Sequence, residues 1–276
     1  MSKTLTKKRS AMVVSLAALT IVMLVVLVVT TTAAPPVAEK YAPAAASPGA
    51  AALEKAAKDN KYLFIFFFNG QDTHTIAMKS VFQSAMGKMT DRADAVSIQV
   101  MDPAEKSMVD KFGARGAPLP LVLAIAPTGA ATHAFPKTFE EAQFEQAFVS
   151  PCTAKCMRAI QDRHLILLCV QSDQTRFNQE AMQGVEAFKA DPQYAKATEV
   201  VVLNPADKAE QPFLKALQVN PQTATAVTLL VTPPGAPVAS FEGAVTKTQI
   251  AAKLASAQSG CCPGGKCGPG GCGPKK

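Results

Sequence analysis

The body of this 276-residue chain lacks an excess of charge of either sign. Seven of its 28 Lys and Arg residues lie near the two ends, where there are no acidic residues, so the body has 21 basic residues against 21 acidic ones. A neutral body offers no basic stripe to follow phosphates, which predicts that the chain binds no nucleic acid. With 48% hydrophobic and 18% charged residues, the composition is too apolar for a disordered chain and predicts a folded one.

Residues 11–29 contain no charge, Pro or Gly. At about 1.5 Å per residue, a helix over this segment is long enough to cross a bilayer. Four basic residues precede it and predict that the N-terminus stays inside, with the body on the extracytoplasmic, periplasmic side of the cell membrane. We therefore expect residues 1–34 to be a transmembrane helix, or a signal segment whose cleavage leaves a secreted protein. No Cys follows the apolar run to indicate a lipoprotein anchor, and residues 35–50, rich in Ala and Pro, are predicted to be a linker.

Three segments of the body recur in the same order about 100 residues later in the chain. They are residues 59–67 with 162–170, 101–106 with 203–208, and 121–129 with 227–235. Each copy is predicted to run helix, buried strand, helix, strand, helix, strand, short strand, helix. The expected fold class is therefore α/β, with a central mixed sheet flanked by helices in each of two domains, over residues 51–150 and 151–257.

The stretch at residues 112–118, followed by the apolar run 119–126, resembles the thioredoxin-like superfamily. In that superfamily the stretch ends in a cis-proline that leads into an antiparallel strand, so the resemblance implies a cis peptide bond at Pro118. Through the repeat, the resemblance covers both copies and implies two tandem thioredoxin-like domains. The second copy departs from the pattern, because its alignment places Ala224 where the proline is expected.

The same resemblance implies a Cys-X-X-Cys after the first long strand, where the start of a helix lowers the pKa of the attacking thiol. This chain has Asp72 to Thr75 at that place in the first copy and Thr175 to Asn178 in the second, without sulfur in either. A hydroxyl or a carboxylate cannot perform thiol exchange, so dithiol catalysis is excluded there. Asp72 and Thr75 are instead predicted to cap the following helix, and His74 is predicted to be solvated. We accordingly predict no catalytic and no cofactor-binding residues.

All seven cysteines lie after residue 150. Cys169 falls inside an apolar strand and is predicted to be a small buried hydrophobe. Cys152 and Cys156 follow Ser150 and Pro151, which suit an N-cap and a first helical position. The two cysteines are thus predicted to share one face of a helix that is just starting, whose dipole favours thiolates. They suit a soft metal ion or an attacking thiol, and equally a structural disulfide or two half-buried thiols.

The other four cysteines lie in a tail over residues 258–276 that is otherwise mostly Gly, Pro and Lys. They are Cys261, Cys262, Cys267 and Cys272. Because Gly and Pro let the tail fold back on itself, four thiolates can surround Zn(II) or collect Cu(I). Disulfides, thiol exchange or a role as an assembly tag are the alternatives outside the cytoplasm.

Together these patterns predict a membrane-tethered, extracytoplasmic scaffold that is not an enzyme. Its Cys-rich tail, with Cys152 and Cys156 as further candidates, is expected to bind Zn or Cu(I). Its domains are expected to meet protein partners in the cell envelope. Two alternatives stay open: a thiol-disulfide oxidoreductase that uses the tail or the Cys152 and Cys156 pair, and an interaction module whose tail is incidental.

Overall fold

The computed structural model describes residues 47–259. The predicted membrane segment, residues 35–46 of the predicted linker and residues 260–276 of the Cys-rich tail lie outside the described residues, and with them the four tail cysteines. No helix within the described residues is long and apolar enough to cross a membrane.

The first domain is built on a four-stranded sheet with strand order β2-β1-β3-β4. Its elements are α1 (Pro48–Lys58), β1 (Tyr62–Phe68), α2 (Thr73–Gly87), β2 (Ala93–Gln99), α3 (Lys106–Lys111), β3 (Leu121–Ile125), β4 (Ala131–Pro136) and a 3-10 helix over Glu141–Ala147. The central strand β1 pairs parallel with β2 and antiparallel with β3, which in turn pairs antiparallel with β4. The sheet is therefore mixed, as the order of strands and helices in the sequence predicts.

Strand β1 is covered on both faces because its sequence, YLFIFFF, is apolar throughout. Phe64 and Phe66 lie in a core with α2 and the 3-10 helix. Leu63, Ile65 and Phe67 lie in a second core with α1 and α3. Alternate side chains of a strand point to opposite faces, so this one strand supplies the centre of both apolar layers.

The second domain repeats this architecture with strand order β6-β5-β7-β8 and the same parallel and antiparallel pairings. Its elements are α4 (Pro151–Gln161), β5 (Leu165–Val170), α5 (Asn178–Lys189), β6 (Thr198–Leu203), α6 (Gln211–Ala216), β7 (Val227–Thr232), β8 (Ala236–Glu242) and α7 (Lys247–Ser259). Cys169 on β5 is buried in the core beneath α5 and α7, which confirms its prediction as a small buried hydrophobe. Two mixed sheets flanked by helices confirm the predicted α/β fold class.

Helix α1 begins earlier than the sequence predicts. It starts at Pro48, inside the segment 35–50 interpreted as linker. The Ser47 side chain caps it by accepting a hydrogen bond from the Ala50 N–H at 3.2 Å. Residues 48–50 therefore belong to the folded domain, because Ser-Pro supplies an N-cap and a first helical residue that composition alone did not reveal.

In the loops after β2 and β6, the structure aligns the residues of the two domains differently from the predicted sequence repeat. The sequence aligns Asp102 with Asn204, whereas the structural equivalent of Asp102 is Asp207. Both aspartates start a 3-10 turn, and each accepts a hydrogen bond of 2.9 Å from the backbone N–H two residues later. Each is followed three residues later by a buried glutamate, Glu105 or Glu210.

Each of these buried glutamates accepts hydrogen bonds from the N-terminal residues of the first helix of its domain. Glu210, only 2% exposed, accepts hydrogen bonds from the Ser150 hydroxyl at 2.5 Å and the Cys152 N–H at 3.1 Å. The equivalent contacts of Glu105 join it to Ser47 and Gly49, each at 2.8 Å. A carboxylate is favourable beside the free N–H groups at a helix start, so each glutamate fixes its helix to the loop after the second strand.

Removing the Glu210 side chain is expected to lower the free energy of unfolding by about 1–3 kcal/mol, because two part-buried donors lose their acceptor. The measurement is urea unfolding of E210A against the unsubstituted chain. D207A, which removes an exposed carboxylate from the same loop, is the matched control and should cost less. An E210A loss no larger than that of D207A contradicts the role assigned to Glu210.

Helix α4 contacts both domains. Its Gln161 side chain pairs with the backbone of Ala131, accepting from the N–H at 3.0 Å and donating to the carbonyl O at 2.7 Å. Its Arg158 donates to the carbonyl O of Gly129 at 3.1 Å. On the other side, Ala159 lies in the core of the second domain. The first helix of the second domain therefore also closes the end of the first sheet.

Candidate functional site

In the first domain, the place of the expected dithiol holds a hydrogen-bonded pair of oxygens. The Thr75 hydroxyl donates to Asp72 Oδ2 at 2.7 Å, and the Thr75 N–H donates to Asp72 Oδ1 at 3.0 Å. These hydrogen bonds lower the pKa of the Asp72 carboxyl. Asp72 is the N-cap of α2, as predicted. His74 is exposed, with its Nε2 3.1 Å from the carbonyl O of Lys137.

The second domain has an equivalent pair at the same spacing. The buried Thr175 hydroxyl lies 2.7 Å from Asn178 Oδ1 and 2.8 Å from the carbonyl O of Ser172. The Asn178 amide donates to the same carbonyl at 2.7 Å. In both domains, two side chains separated by two residues are in contact at the place of the expected dithiol. The contact joins oxygen atoms, which cannot be oxidised to a disulfide.

Arg176 and Phe177 lie between the two members of the second pair. The backbone of Arg176 is hydrogen-bonded on both sides, and the ring of Phe177 is exposed to solvent. The Arg176 N–H donates to the Ala224 carbonyl O at 3.0 Å, and the Arg176 carbonyl O accepts from the Ala226 N–H at 2.9 Å. Phe177 has φ of 65° and is 46% exposed. Its ring rests near Gly243, where an added Cβ would come within 3.4 Å of it. The left-handed region is unfavourable for a bulky side chain, so this residue is held in a strained conformation.

The cis-proline of the first domain is not the predicted one. The cis peptide bond joins Leu119 and Pro120, so the prediction of Pro118 was wrong by two residues. Pro120 directly precedes β3, and its carbonyl O accepts from the Lys137 N–H at 2.7 Å, extending the pairing of β3 with the chain after β4. Ala226 makes the equivalent bond in the second domain, so it takes the place that the sequence alignment gave to Ala224.

The two cysteines at the start of α4 are not joined in a disulfide, which was one of the alternatives that the sequence left open. Cys152 is half-buried and Cys156 is 5% exposed, and both are free thiols. Burial, reinforced by the nearby Glu210 carboxylate, raises the pKa of Cys152 to about 11. Burial raises the pKa of Cys156 to about 12. Loss of solvation therefore outweighs the helix dipole, and neither thiol is set up as an attacking group at neutral pH.

No group of three or more His, Cys, Asp or Glu side chains is arranged to hold a metal ion anywhere in residues 47–259. The predicted ligands Cys152 and Cys156 therefore have no third ligand of these types. The four predicted ligands of the tail lie outside the part of the chain that the structure describes.

Sequence reasoning missed two residues of these sites. Glu210 had a usable signal, because the Asp-X-X-Glu that begins with Asp207 repeats the one that begins with Asp102. Phe177 had none, since its strain and exposure depend on the backbone bonds of its neighbour.

In each domain the oxygen pair follows the carboxyl end of the central strand and lies at the start of a helix. In the second domain the backbone beside the pair is also bonded to the loop that enters the first antiparallel strand. This placement is the one implied by the sequence resemblance, and the two domains share one strand order. The fold is thioredoxin-like, in two tandem copies. Neither thioredoxin-like domain has a cysteine at the positions where the sequence resemblance places the dithiol.

No protein-family model and no curated protein sequence matches the chain. Among solved structures, the first two thioredoxin domains of Saccharomyces cerevisiae Eps1p are similar at 8% identity over 75% of this chain and 95% of that one, with a TM-score of 0.27. Human ERp44 in its zinc-bound form is similar at 7% identity over 76% of this chain and 59% of that one, with a TM-score of 0.32. The NTD_N/C domain of alkylhydroperoxide reductase AhpF from Enterococcus faecalis is similar at 15% identity, over 73% and 95%, with a TM-score of 0.26. These likenesses concern the fold alone.

Proposed function

We propose that the chain is a non-catalytic scaffold of two thioredoxin-like domains, tethered to the membrane on its extracytoplasmic side. Its Cys-rich tail binds a soft metal ion, Zn(II) or Cu(I). The domains position the tail and present a surface to protein partners in the cell envelope.

One observation carries the non-catalytic part of this proposal. The two positions that would hold a redox dithiol contain the pairs Asp72 with Thr75 and Thr175 with Asn178, each joined by a hydrogen bond of 2.7 Å between oxygens. The chain therefore keeps the framework of the site and lacks its sulfur. The thiols at the start of α4 do not replace it, because burial keeps them protonated at neutral pH.

The metal-binding part rests on the composition of the tail. Four cysteines lie within a stretch in which no other residue can contribute to an apolar core. Four thiolates complete the tetrahedral shell that Zn(II) takes in structural sites, and thiolates also select Cu(I). The tether rests on the uncharged segment 11–29 and the basic residues before it.

The test is the metal content of the purified, reduced full chain after exposure to Zn(II). Exchange of all four tail cysteines for Ser (C261S, C262S, C267S and C272S) is expected to abolish the bound Zn(II), because the ligand shell disappears. The matched control replaces the tail lysines (K266S, K275S and K276S), which alters the charge and keeps every thiol, and should leave the Zn(II) content unchanged. Equal metal content in the unsubstituted chain and the tail-serine chain, with Zn(II) and with Cu(I), would sink the proposal.

A partner-binding role has its own support in the second domain. Phe177 combines an exposed ring with a strained backbone, and its neighbour Arg176 is fixed through both of its backbone groups. Aromatic residues and Arg are enriched in protein interfaces, and a rigid anchor loses little entropy on binding. If the tail is incidental, deletion of residues 260–276 will leave partner recovery from envelope extracts unchanged and F177A will reduce it.

A further inference from the structure

The first helices of the two domains, α1 and α4, are the same element with two informative differences. Each begins with Ser-Pro, is capped by that Ser, and is fixed by a buried glutamate. Within this shared pattern, Cys152 stands where the first domain has Gly49. Cys156 stands where the first domain has Leu53.

The second of these differences leaves space in the core. An apolar cavity of about 80 Å³ adjoins Cys156. Its other walls come from α4, β5, α6 and the β7–β8 turn, and include Met157, Ile166 and Phe213. A Cys is smaller than the Leu of the equivalent helix, and unfilled volume in a core lowers stability. Packing therefore does not account for Cys156.

The Cys156 sulfur also has no hydrogen-bond partner within the described residues, whereas Cys152 Sγ lies 3.4 Å from the carbonyl O of Val202. Cys156 is 5% exposed. Two unusual residues thus occur together, one at the surface and one beside a void. We propose that Cys152 and Cys156 form a two-sulfur site that binds one soft monovalent ion of the Cu(I) type.

The helix provides the spacing for such a site. Residues four apart on a helix have Cβ atoms about 5–6 Å apart, so two short thiol side chains can flank one ion. Cys152 is half-buried and gives the ion an entry from solvent, while the cavity gives the Cys156 sulfur room to turn. On binding, two S–H bonds are replaced by two S–Cu bonds, two protons pass to solvent, and the copper stays Cu(I), so no oxidant or reductant is needed.

The charge and ligand type select the kind of ion. Two thiolates with one Cu(I) carry a single negative charge, which the dipole of α4 and the nearby Lys155 help to offset, against the Glu210 carboxylate. Thiolates favour Cu(I) over hard cations such as Mg(II) or Ca(II). Two ligands do not complete the tetrahedral shell of a structural Zn(II) site. This site deepens the proposed soft-metal binding and is separate from the tail.

The experiment starts from the full chain with all four tail cysteines replaced by Ser, so that the tail contributes no thiols. Cu(I) is titrated into it against a competing Cu(I) chelator, and binding is followed by thiolate-to-copper absorption in the ultraviolet. We expect about one Cu(I) per chain and a higher melting temperature with Cu(I) than without it, since an ion that binds only the folded state stabilises it.

The matched control is the same tail-serine chain with C152G and C156L. These changes restore the residues of the first domain, and Leu fills the cavity, so the control should fold and bind no Cu(I). Cys169 is present in both chains and reports on binding by a lone buried thiol. C152S is a further variant that removes one ligand with little change in shape, and it should also lose the ion.

Two results would overturn this site: no Cu(I) bound by the tail-serine chain, or equal Cu(I) bound by the C152G/C156L control. Neither result bears on the tail, whose own test is the Zn(II) content of the unsubstituted chain against the tail-serine chain. Conversely, a tail without Zn(II) leaves the Cu(I) titration of the pair fully interpretable. The two proposals therefore succeed or fail separately.

Discussion

Replacement of Gly184 by Ala is expected to destabilise the second domain by about 3 kcal/mol, the upper end of the usual cost of overpacking. Gly184 lies in the middle of α5, where its backbone runs against the segment that enters α7. A Cβ at this position would lie 1.8 Å from the carbonyl O of Val245 and 3.2 Å from the Cα of Thr246. Both are backbone atoms, so no side-chain rotation relieves the clash and the two helices must separate.

The measurement is the melting of G184A followed by circular dichroism, with hydrogen exchange used to locate the loss. Exchange should rise in α5, β5 and α7 before it rises in the first domain. G87A is the control, because Gly87 ends helix α2 and an added Cβ there meets nothing within 4 Å. Ala is favoured over Gly in a helix by about 1 kcal/mol, so G87A should be neutral or slightly stabilising. If G184A and G87A have the same melting temperature, α5 and the segment that enters α7 are not packed this closely.

Introducing cysteines at both positions of the first oxygen pair, D72C with T75C, is expected to raise the disulfide-reductase activity of the chain. The side chains of these residues already touch, at 2.7 Å between oxygens, and they have the spacing of a Cys-X-X-Cys at a helix start, so we expect the two introduced thiols to form a disulfide. Asp72 is exposed and Thr75 is buried, which provides one accessible thiol and one to resolve the mixed disulfide. The start of α2 lowers the pKa of the accessible thiol. Loss of the Asp72 cap will cost about 0.5–2 kcal/mol of stability.

The assay is reduction of insulin by the tail-serine chain with and without the two changes, so that other exposed thiols do not contribute. D72C alone is the control, because a single thiol forms a mixed disulfide and cannot resolve it. T175C with N178C should be less active than the first-domain pair, since Arg176 keeps the backbone beside it bonded to residues 224–226. A properly folded D72C/T75C chain that forms its disulfide but does not turn over would show that the first domain has lost more than its sulfur.

The sequence predicts the architecture because hydrophobic patterning is local. The apolar strand that contains Cys169, the cap formed by Asp72 and the tandem order of elements all follow from neighbouring residues, and the structure confirms them. The position of the cis-proline depends on where β3 enters the sheet. The resemblance therefore identified the segment that contains the cis-proline, but it indicated Pro118 where the structure has Pro120.

The chemistry of the α4 thiols depends on contacts that are distant in sequence. The helix start beside Cys152 was visible, and its dipole favours a thiolate. The contact with Glu210 was not visible, because Glu210 lies fifty-eight residues away in the sequence. Burial and the Glu210 carboxylate together raise the pKa of the Cys152 thiol. The same distance hid the cavity beside Cys156, whose walls come from four elements of the domain.

The double role of α4 has a consequence for how the chain is made. Gln161 and Arg158 supply the groups that close the end of the first sheet, at Ala131 and Gly129. During synthesis from the N-terminus, the first domain therefore cannot reach its final form until the ribosome has released residue 161. A chain truncated after residue 150 will emerge with that end open to water, and a translation pause after α4 has left the ribosome will favour orderly folding over a pause before it.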